Sequence, residues 1–122
     1  METPDFLDRF LQVTDIIKSW VVKREIYKTI IQLKGGSPGS YKIIEIYYKQ
    51  YLAYKNTDMF YEAIDTLEHH IKILTQEHLF YSSPEYITIA SRYEELGDIW
   101  REHNLPYPSI DALDKAFSIL SK

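Results

Sequence analysis

Cysteine is absent from the 122 residues. That excludes a disulfide framework, a thiolate metal site and a cysteine nucleophile, and it fits a reducing compartment. Long apolar runs are missing too, because a charged residue interrupts the hydrophobic ones every few positions. No membrane span is therefore expected. The opening Met1-Glu2-Thr3-Pro4-Asp5 is acidic where a secretory leader is basic, so none is read there. Positive charge is also in short supply: 14 Lys+Arg stand against 18 Asp+Glu, the net charge is −4, and the cations are scattered singly. A dedicated nucleic-acid surface needs a basic stripe, which this chain lacks. These absences point to a cytoplasmic, non-nucleic-acid-binding protein.

What is present is apolar and aromatic bulk. Hydrophobic residues make up 45% and aromatics 15% of the chain, enough for one domain with a real core. Eleven tyrosines are a heavy load for this length. Tyrosine covers a large area and keeps a polar tip, so the excess fits either half-buried positions between helices or an interface.

The apolar residues recur at helical spacing throughout, and period-two alternation is absent, so the expected class is all-α. Thr3, Pro4 and Asp5 read as a helix start, followed by one face of Phe6, Phe10, Val13, Ile17 and Trp20. Ile26, Tyr27, Ile30, Ile31 and Leu33 continue the pattern to Lys34. Residues 1–34 are thus one long helix or two with an unmarked hinge between Val21 and Glu25. Gly35-Gly36-Ser37-Pro38-Gly39-Ser40 holds three of the 4 glycines. It reads as a flexible linker, either a natural turn or an engineered join.

Residues 41–122 contain two helical hairpins, 41–80 and 84–121. In the first, Ile44, Tyr47, Tyr48, Tyr51 and Tyr54 form one face. Thr57 or Asp58 is expected to cap a helix bearing Phe60, Ala63, Ile64, Leu67, Ile71 and Leu74. In the second, Ser83-Pro84-Glu85 starts a helix with Tyr86, Ala90, Tyr93, Leu96, Gly97 and Trp100 on one face. The prolines after Asn104 end it. The last helix, Ser109 to Leu120, is expected to turn Ile110, Leu113, Ala116, Phe117 and Leu120 inward. It should also leave part of its apolar surface exposed, for another hairpin, a second copy or a partner.

Short connections fold each helix pair back on itself, and a small residue early in each second helix permits close approach. The pattern resembles the tetratricopeptide unit of 34 residues. With Ala90 at its first position, Tyr93 falls at the fourth, Leu96-Gly97 at the seventh and eighth, and Trp100 at the eleventh. Ser109, Leu113 and Ala116 take the twentieth, twenty-fourth and twenty-seventh. In the earlier unit Ala63 holds the twentieth position, but Tyr51 replaces the glycine and His70 the second alanine. The units are 46 residues apart, from Ala63 to Ser109. That period resembles the SNAP branch of helical-hairpin proteins more than a regular array. The resemblance implies a short right-handed solenoid or bundle. At the start, Asp5-Phe6-Leu7, Arg9-Phe10 and Val13-Thr14 resemble the opening of the 40-kDa huntingtin-associated protein family. That family is itself SNAP-like, held between the helical-repeat domains of huntingtin and linked to endosome traffic. A chain of this length would match an N-terminal part of such a protein.

Chemistry-bearing clusters are few. His69, His70, Glu77 and His78 share one helix, but two turns separate His70 from His78, roughly 12 Å of rise, too far for one metal ion. Glu94, Glu95 and Asp98 with Arg92 and Arg101 have the spacing of ion pairs on a solvated face. Arg101-Glu102-His103 is too compact for the motif of the helical ribonucleases of the higher-eukaryote and prokaryote nucleotide-binding class. The glycine segment lacks the Lys-Ser/Thr of a phosphate loop. No catalytic residue, metal ligand or cofactor is assigned. The expected function is a non-catalytic scaffold or adaptor that binds a helix or peptide in a concave groove, with vesicle traffic as one setting. The alternative is a helical-bundle domain that binds a nucleotide or metal and has enzymatic activity. Carrying over the groove positions of tetratricopeptide units implies Tyr48, Leu52 and Lys55 in the earlier hairpin and Glu94, Asp98 and Arg101 in the later.

Overall fold

The computed structural model describes residues 4–34, 41–77 and 85–121. Those residues form α1 (Pro4–Asp15), α2 (Trp20–Lys34), α3 (Tyr41–Lys55), α4 (Phe60–Glu77), α5 (Glu85–Glu102) and α6 (Pro106–Leu120), with no strand among them. The class is all-α. The cap expected at Thr3, the linker at 35–40 and the start at Ser83-Pro84 lie outside the described residues.

Each helix packs mainly on its neighbours in the chain, and α5 with α6 is the most closely packed pair. Helix α3 sits in the middle and is apolar on nearly every side. Ile43, Ile46 and Ala53 form a core with Leu11, Tyr27 and Ile30, while Ile44 packs with Ile73, Leu74 and Ile89. A third core joins Tyr51 to Ile64, Leu67 and Ile71 of α4, Leu96 and Ile99 of α5, and Ala112 of α6.

The first break in the chain falls at residues 16–19, not between Val21 and Glu25. Ser19 is the reason. Its Oγ accepts from the Val22 N–H (3.3 Å) and its carbonyl from the Lys23 N–H (3.0 Å), which starts α2 there. The first helix stops because the Thr14 carbonyl accepts from the Ile17 N–H (3.1 Å).

Two hairpin turns share one geometry. Asp58 has φ 59° and Asn104 φ 60°. The next N–H reaches back five residues in each case, Met59 to the Tyr54 carbonyl and Leu105 to the Trp100 carbonyl, both 3.0 Å. This is the left-handed termination that satisfies the last carbonyls of a helix, with Asp and Asn in place of glycine. The expectation that Thr57 or Asp58 caps α4 is thereby corrected. Thr57 Oγ1 donates to the Ala53 carbonyl (2.8 Å), so both residues finish α3. Likewise the prolines begin α6, whose first position is Pro106, where no donor is needed.

Tyr54 to Trp100 and Asp58 to Asn104 are both 46 residues apart, the spacing of Ala63 and Ser109. The register runs on through the second helices. Tyr61, Ile64, Asp65, Leu67, Ile73 and Leu74 recur as Tyr107, Ile110, Asp111, Leu113, Ile119 and Leu120. The two hairpins are therefore one unit used twice.

That repeat explains another correction. Helix α6 buries Ser109, Ala112 and Ala116 against α5, while Ile110, Phe117 and Leu120 face outward. Small residues face α5 because the pair is so close. A Cβ on Gly97 would lie 2.8 Å from Leu113 Cγ, and Ser109 Oγ donates to the Gly97 carbonyl at 2.8 Å.

Candidate functional site

In the first hairpin Tyr51 and His70 stand where the second has Gly97 and Ala116. They build a polar seam between α3, α4 and α5. His70 is buried and its two ring nitrogens have different partners: Nδ1 lies 2.8 Å from the Ile44 carbonyl, and Nε2 lies 3.2 Å from Arg92 Nε. A carbonyl can only accept and a guanidinium only donate. The ring is therefore neutral, protonated on Nδ1, with Nε2 as acceptor. Burial is the main force pushing the imidazole down to about 4. The Ile44 carbonyl opposes that shift, and the Arg92 charge adds to it.

Arg92 continues the seam. Its guanidinium carbon is 3.6 Å from the centre of the Tyr48 ring, and its Nη1 pairs with Glu95 Oε2 at 3.1 Å. The other Glu95 oxygen accepts from Tyr48 Oη at 2.6 Å. Burial and this carboxylate raise the phenol to about 12. Tyr51 packs beside Tyr48, fully buried, and burial with the nearby Glu95 charge raises its phenol as well. The Arg92–Glu95 pair is thus drawn between the hairpins, where the sequence had suggested a solvated face.

The six positions expected in a groove divide in two. Tyr48 is turned into the seam and Leu52 is half-buried against the core shared by the hairpins. Lys55, Glu94 and Arg101 are exposed, and Asp98, partly buried, pairs with Arg101 at 3.2 Å. The structure joins Tyr48 to the later hairpin through Arg92 and Glu95, the residues flanking those expected. It brings only Asp98 and Arg101 directly together.

Among the described residues no group of three or more His, Asp or Glu side chains is arranged to hold a metal ion, and His78 lies outside them. His69 packs on Tyr47 with ring centres 4.6 Å apart. His103 stacks on Phe60 at 3.7 Å, and its Nδ1 lies 3.0 Å from the Ile99 carbonyl. These rings close seams between helices.

A second junction ties the first helices to α3. Asp15, at the end of α1, takes both Lys49 Nζ (2.8 Å) and Tyr27 Oη (3.2 Å). Nothing in the spacing of these residues singled out this junction or the His70 seam. The signal available for His70 was its departure from the small residue at the equivalent position of the second hairpin.

No helix among the described residues is long and apolar enough to cross a membrane. No family model, curated protein or solved structure matches the chain.

Proposed function

We propose that this chain is a non-catalytic scaffold of stacked helical hairpins, built in the tetratricopeptide and SNAP manner, that holds a helix or peptide of a partner protein. The observation that carries the reading is the hairpin repeated at 46 residues, with matching left-handed turns at Asp58 and Asn104. Stacked repeats present one surface from each unit side by side, and extended surfaces of that kind suit binding of a segment. The face proposed for contact combines the exposed Lys55, Glu94 and Arg101 with Asp98 and the half-buried Leu52. Tyr48 supports it from beneath through Arg92 and Glu95. A cytoplasmic setting, and vesicle traffic within it, rest on the composition and the family resemblances.

The test is affinity capture from cell extract with the full chain and with a Lys55→Glu, Arg101→Glu double variant. The two should differ in thermal midpoint by only a few degrees, because the altered side chains are exposed and the Asp98–Arg101 pair is a surface one. The expected result is recovery of a partner by the parent chain and its loss in the variant. Unchanged recovery rejects this face. Stabilisation of the chain by a few kcal/mol with a saturating nucleotide or metal ion in a thermal-shift screen favours the enzymatic alternative instead.

A further inference from the structure

The outward face of α6 repeats a face that is covered elsewhere in the same molecule. Ile64, Ile71 and Leu74 of α4 are each 4% exposed, whereas their counterparts 46 residues later, Ile110, Phe117 and Leu120, are 56%, 73% and 54% exposed. What differs is the neighbour. Within each hairpin the second helix turns Ala63 or Ser109 toward its partner helix, and those residues are buried in both. Positions buried on α4 but open on α6 are therefore the ones the following hairpin covers. On α4 that cover is α5, with Leu96 and Ile99 against Ile64 and Ile71, and Ile89 and Tyr93 beside Leu74.

The rim repeats as well. Glu68 of α4 faces Lys115 of the second hairpin across a shallow cleft that is also lined by Ile71, Lys72, Tyr93 and Leu96. The residue equivalent to Glu68 on α6 is Asp114, with Asp111 where α4 has Asp65, and both are exposed. The apolar stripe and its acidic edge both recur. The buried histidine does not, since Ala116 replaces His70 and leaves no acceptor for an arginine.

We infer that α6 is an open seat for an amphipathic helical hairpin of another protein. Its leading helix carries apolar residues at the spacing of Ile89, Tyr93, Leu96 and Ile99, and its second helix brings a cation to Asp114, as Lys115 of α6 does to Glu68. No arginine equivalent to Arg92 is required of it. This surface is separate from the face of Lys55 and Arg101, so either can fail without the other. A second copy of this chain cannot supply that leading helix while its own α5 is seated on α4.

The experiment lengthens the full chain at its C-terminus by a second copy of residues 78–121, which supplies the inferred chemistry in place. The thermal midpoint should rise by roughly 5 °C or more as the added hairpin docks. Phe117→Asp should abolish that rise while leaving the unlengthened chain nearly unchanged, and Asp114→Lys should reduce it by opposing the added lysine. In sedimentation velocity the unlengthened chain should stay monomeric. No rise, or a rise that survives Phe117→Asp, overturns the inference. Self-association of the unlengthened chain that Phe117→Asp abolishes overturns it too, by giving the seat to a second copy.

Discussion

Arg92 Nε donates to His70 Nε2 at 3.2 Å, so α5 is tied to α4 by a bond that exists only while the imidazole is neutral. The Ile44 carbonyl holds the other ring nitrogen, which fixes the tautomer from α3. Three helices from two hairpins thus depend on one protonation state.

Stability should therefore fall with acid in a defined window. The folded-state value of His70, about 4, lies below the 6.5 of an unperturbed imidazole. The unfolded chain consequently binds this proton more readily than the folded one, and stability drops as the pH goes down. The contribution is fully present above about 6.5 and is lost progressively toward 4. Its size is on the order of 3 kcal/mol by the linkage relation. Denaturant unfolding at a series of pH values checks this. His70→Gln, which cannot take the proton, should flatten the profile between pH 6.5 and 4 relative to the parent chain.

Gly97 should resist the mildest substitution. Alanine favours a helix over glycine by about 1 kcal/mol. Here, however, the added methyl would meet Leu113 Cγ and Cδ2 at 2.8 and 2.9 Å and the Ser109 carbonyl at 3.2 Å. Overpacking of that kind costs about 1–3 kcal/mol, so it outweighs the propensity gain. Gly97→Ala is expected to lower stability by about 1 kcal/mol in denaturant titration. A stabilised variant would mean that α5 and α6 are farther apart than described.

Much of this fold is legible in the sequence because periodicity reports helices and because Asn56-Thr57-Asp58 and Asn104 to Pro108 mark turns. The small residues Ala63, Gly97 and Ser109 also announce where helices come close. Other features depend on what lies across from a residue. Ile71 and Phe117 are equally apolar at equivalent places, yet among the described residues only α4 has a following hairpin to cover its stripe, so Ile110, Phe117 and Leu120 face outward while Ala116 turns inward as expected. Ser19 carries a cap signal without glycine or proline beside it, so periodicity alone leaves one helix or a hinge between Val21 and Glu25 and does not mark the break at 16–19. The candidate site was less legible still. His70 and Arg92 are 22 residues apart, and their pairing follows from the packing of α4 on α5.

The claim on which the scaffold reading rests is that the chain uses one hairpin twice, with the first copy covered by the second. Paired substitution of equivalent residues tests it most directly. In Ile71→Ala and Phe117→Ala the same register position is truncated in each unit, and equilibrium denaturation measures the cost. The account predicts a loss of about 3 kcal/mol at the buried Ile71 and less than about 0.5 kcal/mol at the exposed Phe117. Equal losses at the two positions, or a larger one at Phe117, would contradict it.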